Sequence, residues 1–169
     1  MKKLRKLTLA SLLCAAGLVV FVIEAQIPPL TNIPGIKLGL SNVFTMLALF
    51  WVGPAWAFGT MLVRVSLGSL LTGQTMAFFY SLSGGTAAFL AMWALKRPLG
   101  EKKLWVLSAF GAMGHNLGQM AAALFITRTA ALLYYLPVLM VSAIVTGIFT
   151  GLCAQLVSKR ARQAGFLSK

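Results

Sequence analysis

The side chains that could do chemistry in this chain are a few polar residues embedded in apolar segments. The ones we expect to matter for binding are Lys37, Asn42, Arg64, His115, Asn116, Gln119 and Glu24. Charged groups are costly inside a membrane, so each needs a partner, a wet cavity or a ligand. Glu24 and Glu101 are the only acids in the chain, which argues against most hydrolytic, metal-dependent and phosphoryl-transfer chemistries. We therefore predict binding rather than catalysis and assign no catalytic residue.

The composition also argues against a metal or cofactor site. Two cysteines and one histidine are too few for a structural zinc site. There is no GxxxxGK phosphate loop and no recognisable haem, flavin or iron-sulfur motif. Cys14 and Cys153 lie in apolar segments near basic ends, and we predict that both are free thiols. If the protein uses ATP, the energy must come from a partner.

The class of protein follows from composition. The 169 residues are 59% hydrophobic and 10% charged, and the mean hydropathy is +0.88. A chain this apolar is typical of an integral membrane protein. The net charge of +13 would suggest a nucleic-acid partner in a soluble protein, but most basic residues form clusters between apolar runs. We expect a lipid bilayer as the environment and no nucleic acid.

The apolar runs predict a single domain, residues 1–169, with six transmembrane helices. Their expected bounds are about 7–27, 37–52, 55–71, 76–95, 104–127 and 132–157. Twelve of the 15 Lys and Arg residues fall in the N-terminal, 96–103 and C-terminal segments. By the positive-inside rule, both termini are then cytoplasmic, and the N-terminal segment is a retained helix rather than a signal peptide. We therefore predict an all-α integral membrane protein of a cytoplasmic membrane.

With this topology, the polar residues converge toward the outer half of the membrane, which favours a binding pocket. More cations than carboxylates suggest a ligand with an anionic group, held by Lys37 and Arg64. Other interpretations remain open for single residues. Glu24 and Arg64 could form a structural pair, Lys37 could reach the headgroups, and His115 could be a hydrogen-bonded packing group.

Small residues form a stripe on the first helix. Ala10 and Cys14 are four residues apart, as are Ser11 and Ala15, so each pair shares a helix face. Such stripes let another helix approach closely. The stripe could serve packing inside this bundle or docking to a separate membrane subunit.

Motifs in five segments resemble a known bacterial family. They are PGIKLGLSN at 34–42, RVSLGSLLTG at 64–73, SLSGGTAAFLAM at 81–92, GHNLGQ at 114–119 and YYLPVLMVSAIVTGIFTG at 134–151. Together they look like the Gx transporter family, whose members are often labelled heptaprenyl diphosphate synthase component I. The resemblance implies a relation to the substrate-binding S components of energy-coupling factor (ECF) transporters. Those are six-helix proteins with an outward-facing pocket for a vitamin or similar micronutrient.

The resemblance also implies partners. S components dock through an Ala-xxx-Ala stripe on the first helix to a shared transmembrane subunit that carries two ATPases. Here Ala10 with Cys14, or Ser11 with Ala15, match that motif in a relaxed form. The synthase label fits poorly, because prenyl diphosphate synthases hold magnesium through aspartate-rich motifs and this chain has no aspartate.

Two hypotheses follow. The first is the substrate-binding subunit of an ECF-type micronutrient importer, with a small-molecule substrate. The second is a non-catalytic membrane subunit that supports isoprenoid or quinone biosynthesis, or flavin- or quinone-linked electron transfer. A proton-coupled secondary transporter that uses Glu24 and His115 has less support, since the sequence shows no inverted repeat.

Overall fold

The computed structural model describes residues 3–27 and 39–165, and these residues form six α-helices and two short 3-10 helices. The α-helices are α1 Lys3–Glu24, α2 Asn42–Trp51, α3 Pro54–Thr72, α4 Thr75–Leu99, α5 Leu104–Thr127 and α6 Leu136–Gln163. The 3-10 helices are Glu101–Lys103, before α5, and Ala130–Tyr135, before α6. The described part of the chain contains no strand, which confirms the all-α prediction.

Helix α2 lies at the centre of the bundle, where it contacts each of the other five helices. Its side chains Met46, Ala48 and Leu49 have no exposed surface. The helix has only 10 residues, so it is about 15 Å long, roughly half the hydrocarbon thickness of a membrane. It begins at Asn42 rather than near Lys37, because Gly39 has a φ of +78° and the chain turns there before it becomes helical.

Glycines bring α4, α5 and α6 into close contact. A methyl group on Gly118 of α5 would lie 2.6 Å from the carbonyl oxygen of Ser83 in α4. One on Gly147 of α6 would lie 2.6 Å from the Cα of Ala109, and one on Gly151 would lie 2.5 Å from the Cα of Trp105. These distances leave no room for a Cβ atom. The backbones therefore approach closely at these glycines, and α5 is fixed between α4 and α6.

Four helical segments are long and apolar enough to cross a membrane, which is the pattern of a multi-pass membrane protein. They are Lys3–Glu24, Pro54–Thr72, Thr75–Leu99 and Ala130–Gln163. Helix α2 is too short to meet this criterion. Helix α5 has 24 residues, but His115, Asn116 and Gln119 lower its mean hydropathy. The structure thus supports four of the six predicted spans by length and composition.

All four tryptophans lie at the end of the bundle where the basic loop 96–103 also lies. Trp51 ends α2, Trp56 is near the start of α3, and Trp93 and Trp105 flank the loop. Lys96 folds back at this end, and its Nζ donates a hydrogen bond to the carbonyl oxygen of Leu49 at 2.7 Å. Tryptophan and lysine are typical of a membrane interface. We call this end the basic end.

Candidate binding site

A small cavity with a polar lining lies toward the end of the bundle opposite the basic end. Its walls come from α1, the turn before α2, α3, α4 and α5. The lining residues are Phe21, Glu24, Gly39, Ser41, Arg64, Val65, Ser81 and His115. Five of these eight are charged or polar side chains. We call this space the Arg64 cavity.

Arg64 is the most unusual group in this cavity. Its side chain is only 2% exposed. Its Nη2 donates to the Oδ1 of Asn42 at 3.1 Å and to the Oγ1 of Thr45 at 3.5 Å. Within the part of the chain that the structure describes, its Nε and Nη1 have no hydrogen-bond partner. A buried guanidinium with two unpaired donors is costly, so a group that accepts from them would be bound favourably.

The stem of Arg64 is also held in place. A methyl group on Gly17 of α1 would lie 3.0 Å from the Cδ of Arg64 and 3.3 Å from the Cβ of Phe44. The absence of a side chain at Gly17 therefore lets the arginine stem pass between α1 and α2. Because the stem is packed, the guanidinium has a defined position near the start of α2.

Glu24 closes the cavity at the end of α1. Its Oε1 accepts hydrogen bonds from the backbone amides of Gly39 and, at 3.3 Å, Leu40. The carboxylate also interacts electrostatically with Arg64. Glu24 therefore links α1 to the turn that leads into α2 and supplies negative charge beside the arginine. The direct hydrogen bonds of Arg64 go to Asn42 and Thr45 instead.

His115 reaches the cavity because two glycines make room for it. A methyl group on Gly39 would lie 2.6 Å from the Cδ2 of His115, and one on Gly84 would lie 2.8 Å from its Nδ1. The imidazole thus lies between the turn before α2 and the inner face of α4. It is 5% exposed, and a histidine in this position can donate or accept a hydrogen bond.

The Arg64 cavity measures about 10 Å³, which is about the space that one water molecule needs. Pockets for small organic ligands are typically about 300 to 1,000 Å³. In this arrangement the polar side chains have therefore converged and pack closely around one another. A ligand of vitamin size would require them to move apart.

The remaining predicted site residues are placed differently. Asn116 is fully buried but turns toward α6, where its Nδ2 donates to the carbonyl oxygen of Leu139 at 2.7 Å. Gln119 is fully buried and packs against Gly84, and neither residue lines the Arg64 cavity. Lys37 lies outside the described residues. Their roles in binding a substrate stay predictions.

Thr45 and Ser81 were missing from the predicted site. Thr45 lies one turn after Asn42 on the same face of α2, so the i, i+3 spacing could have indicated that both contact Arg64. Ser81 is 2% exposed, and its Oγ has no hydrogen-bond partner in the described residues. Its position in the cavity follows from the rotation of α4, which spacing alone does not determine.

The two candidate stripes on α1 face in different directions. Ala10 is buried, and the Sγ of Cys14 contacts the carbonyl oxygen of Thr60 in α3 at 3.6 Å. Ser11 and Ala15 are exposed. The first stripe therefore serves packing inside the bundle, and the second lies on the outer surface. Cys14 and Cys153 are free thiols, as predicted.

Comparison with known proteins identifies a family for most of the chain. Residues 13–157 match the family model described as heptaprenyl diphosphate synthase component I. The chain belongs to this family. The match runs from the middle of α1 into α6, so it includes every element around the Arg64 cavity. The description "component I" implies that members of the heptaprenyl diphosphate synthase component I family act with a second component. No curated protein and no solved structure matches the chain significantly.

Proposed function

We propose that this protein is the substrate-binding membrane subunit of an ECF-type micronutrient importer, with both termini in the cytoplasm and the Arg64 cavity facing outward. The observation that carries the proposal is the buried guanidinium of Arg64, whose Nε and Nη1 have no hydrogen-bond partner among residues 3–27 and 39–165. Side chains from α1, α3, α4 and α5 meet at this point. Unpaired buried donors favour a ligand with an anionic or strongly accepting group.

Binding then requires the cavity to open. Glu24 holds the turn at Gly39 and Leu40 through a single carboxylate oxygen. This oxygen accepts one hydrogen bond from each of the two backbone amides. Exchange of these bonds for bonds to a ligand would release the turn while Arg64 stays fixed by its stem. The glycine contacts of α4, α5 and α6 would remain unchanged during this opening.

The six-span topology belongs to this proposal. Within α5 the polar residues Ser108, His115, Asn116 and Gln119 are buried. The surface that this part of α5 presents outward is therefore apolar, with Phe110, Leu117 and Phe125 exposed. Helix α5 can therefore cross the membrane beside α4 and α6. The exposed Ser11 and Ala15 stripe on α1 supports docking to the transmembrane subunit that carries the two ATPases.

The first test is to purify the protein in mild detergent and identify the small molecules that are released on denaturation. We expect a stoichiometric ligand with an anionic group. The Arg64→Met variant should insert normally but contain more than 100-fold less of this ligand after purification, because Met retains the stem but none of the donors. Arg128→Met is the matched control, since Arg128 is exposed in the turn after α5. Equal ligand content in wild type and Arg64→Met would contradict the proposal.

A second candidate function is favoured by the family description. "Component I" of a synthase indicates a non-catalytic subunit that supports isoprenoid or quinone metabolism or the linked electron transfer. Glu101 pairs with Arg162 and Glu24 bonds backbone amides. No group of three His, Cys, Asp or Glu residues in 3–27 and 39–165 could hold a metal ion. These features support a role without catalysis in either case.

Affinity purification separates the two candidates. Recovery of a transmembrane subunit with two ATPases supports the importer, and recovery of a prenyltransferase or a flavoprotein supports the alternative. The Ala15→Leu variant places a bulky group on the exposed stripe and should reduce ATPase recovery. Val145→Phe is its control, because Val145 is exposed on α6 and so lies outside the α1 stripe. Normal recovery with Ala15→Leu would show that docking uses another surface.

A further inference from the structure

A wide cleft lies at the basic end, far from the Arg64 cavity, and the proposed function makes no use of it. It measures about 680 Å³, which is within the range of small-molecule sites. One wall is the end of α4 with the 3-10 helix, and the other is the last two turns of α6. The lining residues are Leu99, Gly100, Glu101, Lys102, Gln155, Ser158, Lys159 and Arg162.

The charge of this cleft is positive. Glu101 and Arg162 form an ion pair across it and cancel each other. Lys102 and Lys159 are exposed and make no hydrogen bond or ion pair with any residue that the structure describes. Two ammonium groups on opposite walls are therefore available to one anion. Each can donate up to three hydrogen bonds.

Neutral polar side chains line the cleft together with the two lysines. Ser158 accepts a hydrogen bond from the Nε1 of Trp51 at 3.2 Å, so its own hydroxyl hydrogen remains available to a ligand. Gln155 also lines the cleft, and the Nε2 of its amide can donate to a ligand. A phosphate group offers several acceptor oxygens to such donors.

The surroundings indicate that this ligand comes from the membrane. Leu152, Leu156 and Val157 of α6 are exposed next to the cleft, and Trp105 is exposed at the start of α5. Apolar side chains thus continue from the cleft along α6 in the direction of the bilayer. An acyl chain can lie on this surface while its headgroup occupies the cleft, and basic pockets at the ends of transmembrane helices bind anionic lipids in this way.

We infer that the cleft between the α4–α5 turn and the end of α6 binds the phosphate of an anionic phospholipid, with Lys102 and Lys159 as its two cationic contacts. This inference does not depend on the proposed solute-binding function. It requires only that α4 and α6 cross the membrane and that the basic end lies at an interface.

The test is a lipid titration of the detergent-purified protein, followed by native mass spectrometry. Phosphatidylglycerol should bind in preference to phosphatidylcholine. Lys102→Ala with Lys159→Ala should weaken phosphatidylglycerol binding about 30-fold, or about 5-fold for each lysine. Lys103→Ala with Arg160→Ala is the matched control, because it removes the same charge from exposed residues outside the cleft. The control should change the affinity less than 3-fold.

Any of the following results would contradict the proposed phospholipid site. Equal losses of phosphatidylglycerol affinity in the cleft and control variants would show that the lipid is attracted to the basic end as a whole and not bound in the cleft. Displacement of the lipid by inorganic diphosphate at equal concentration would show a site for a soluble phosphate compound rather than a membrane lipid. Unchanged binding in the cleft variant, with an unchanged melting temperature, would show that the lysines do not contact the headgroup. If the alanine variant fails to fold, Lys102→Gln with Lys159→Gln provides the same comparison.

Discussion

The α4–α5–α6 side of the bundle and the junction of α1, α2 and α3 are held together by opposite means. On the first side, glycines such as Gly118, Gly147 and Gly151 let the backbones of neighbouring helices approach closely. At the junction, the long side chains of Arg64 and Glu24 fill the space, and Nε and Nη1 of Arg64 have no hydrogen-bond partner among the described residues. This difference supports the proposal that the glycine-packed side stays fixed while the junction exchanges its contacts for a ligand.

The largest effect should come from closing a glycine contact. Gly118→Ala places a methyl group 2.6 Å from the Ser83 carbonyl oxygen, so α4 and α5 must separate. We expect a loss of about 2 kcal/mol in the free energy of unfolding, measured by denaturation in detergent. Gly59→Ala is the control, since nothing lies within 4 Å of its added methyl group and alanine favours a helix. Equal effects of the two variants would show that the α4–α5 contact is not rigid.

A smaller effect should come from the polar bond between α5 and α6. Asn116→Ala removes the donor to the Leu139 carbonyl oxygen and should cost about 1.5 kcal/mol of unfolding free energy. Ser142→Ala is a close control, because Ser142 donates to the same carbonyl oxygen from within α6. It should cost less than about 0.5 kcal/mol.

The Asn116 variant also tests the predicted binding role. If Asn116 only joins the two helices, the purified variant should retain its ligand as wild type does. Loss of ligand from a folded Asn116→Ala protein would show that Asn116 belongs to the binding site and that the cavity extends toward α6.

The C-terminal end of α2 offers a still smaller effect. Lys96 donates to the Leu49 carbonyl oxygen, and its Nζ lies 5.2 Å from the centre of the Phe50 ring. A cation at this place interacts favourably with the helix dipole and the ring. Lys96→Met should therefore reduce the free energy of unfolding by about 1 kcal/mol, which can be measured as a lower melting temperature. Arg97→Met removes an exposed neighbouring charge and should have no effect.

Much of this architecture could be predicted from the sequence, since long apolar runs and glycine pairs at i, i+4 are direct signals of membrane helices and close contacts. The directions in which single side chains point could not be predicted from the sequence. Apolar residues face lipid and protein alike in such helices, so hydrophobic periodicity does not fix the rotation of a helix about its axis. For this reason the inward turn of Thr45 and the turn of Asn116 toward α6 required the structure. The short α2 also required it, because the run of residues 36–52 gives no sign of the backbone turn at Gly39.

The smallest expected effect on stability is at Arg64, although we expect the largest effect on ligand content there. Burial of a guanidinium costs several kcal/mol, and in the described residues only Nη2 of Arg64 has hydrogen-bond partners. Met keeps the packed stem, and Glu24 keeps its bonds to Gly39 and Leu40. Arg64→Met should therefore change the free energy of unfolding by less than about 1 kcal/mol.

A comparison of Arg64→Ala with Arg64→Met measures the packing of the arginine stem separately from its charge. Arg64→Ala removes the methylene groups that pack against Gly17 and Phe44, so it should cost more unfolding free energy than Arg64→Met. A cost of about 3 to 5 kcal/mol for Arg64→Met itself is what the loss of a structural buried ion pair would produce. That result would mean that Glu24 and Arg64 stabilise the bundle as a pair, and the junction of α1, α2 and α3 would then be as rigid as the glycine contacts.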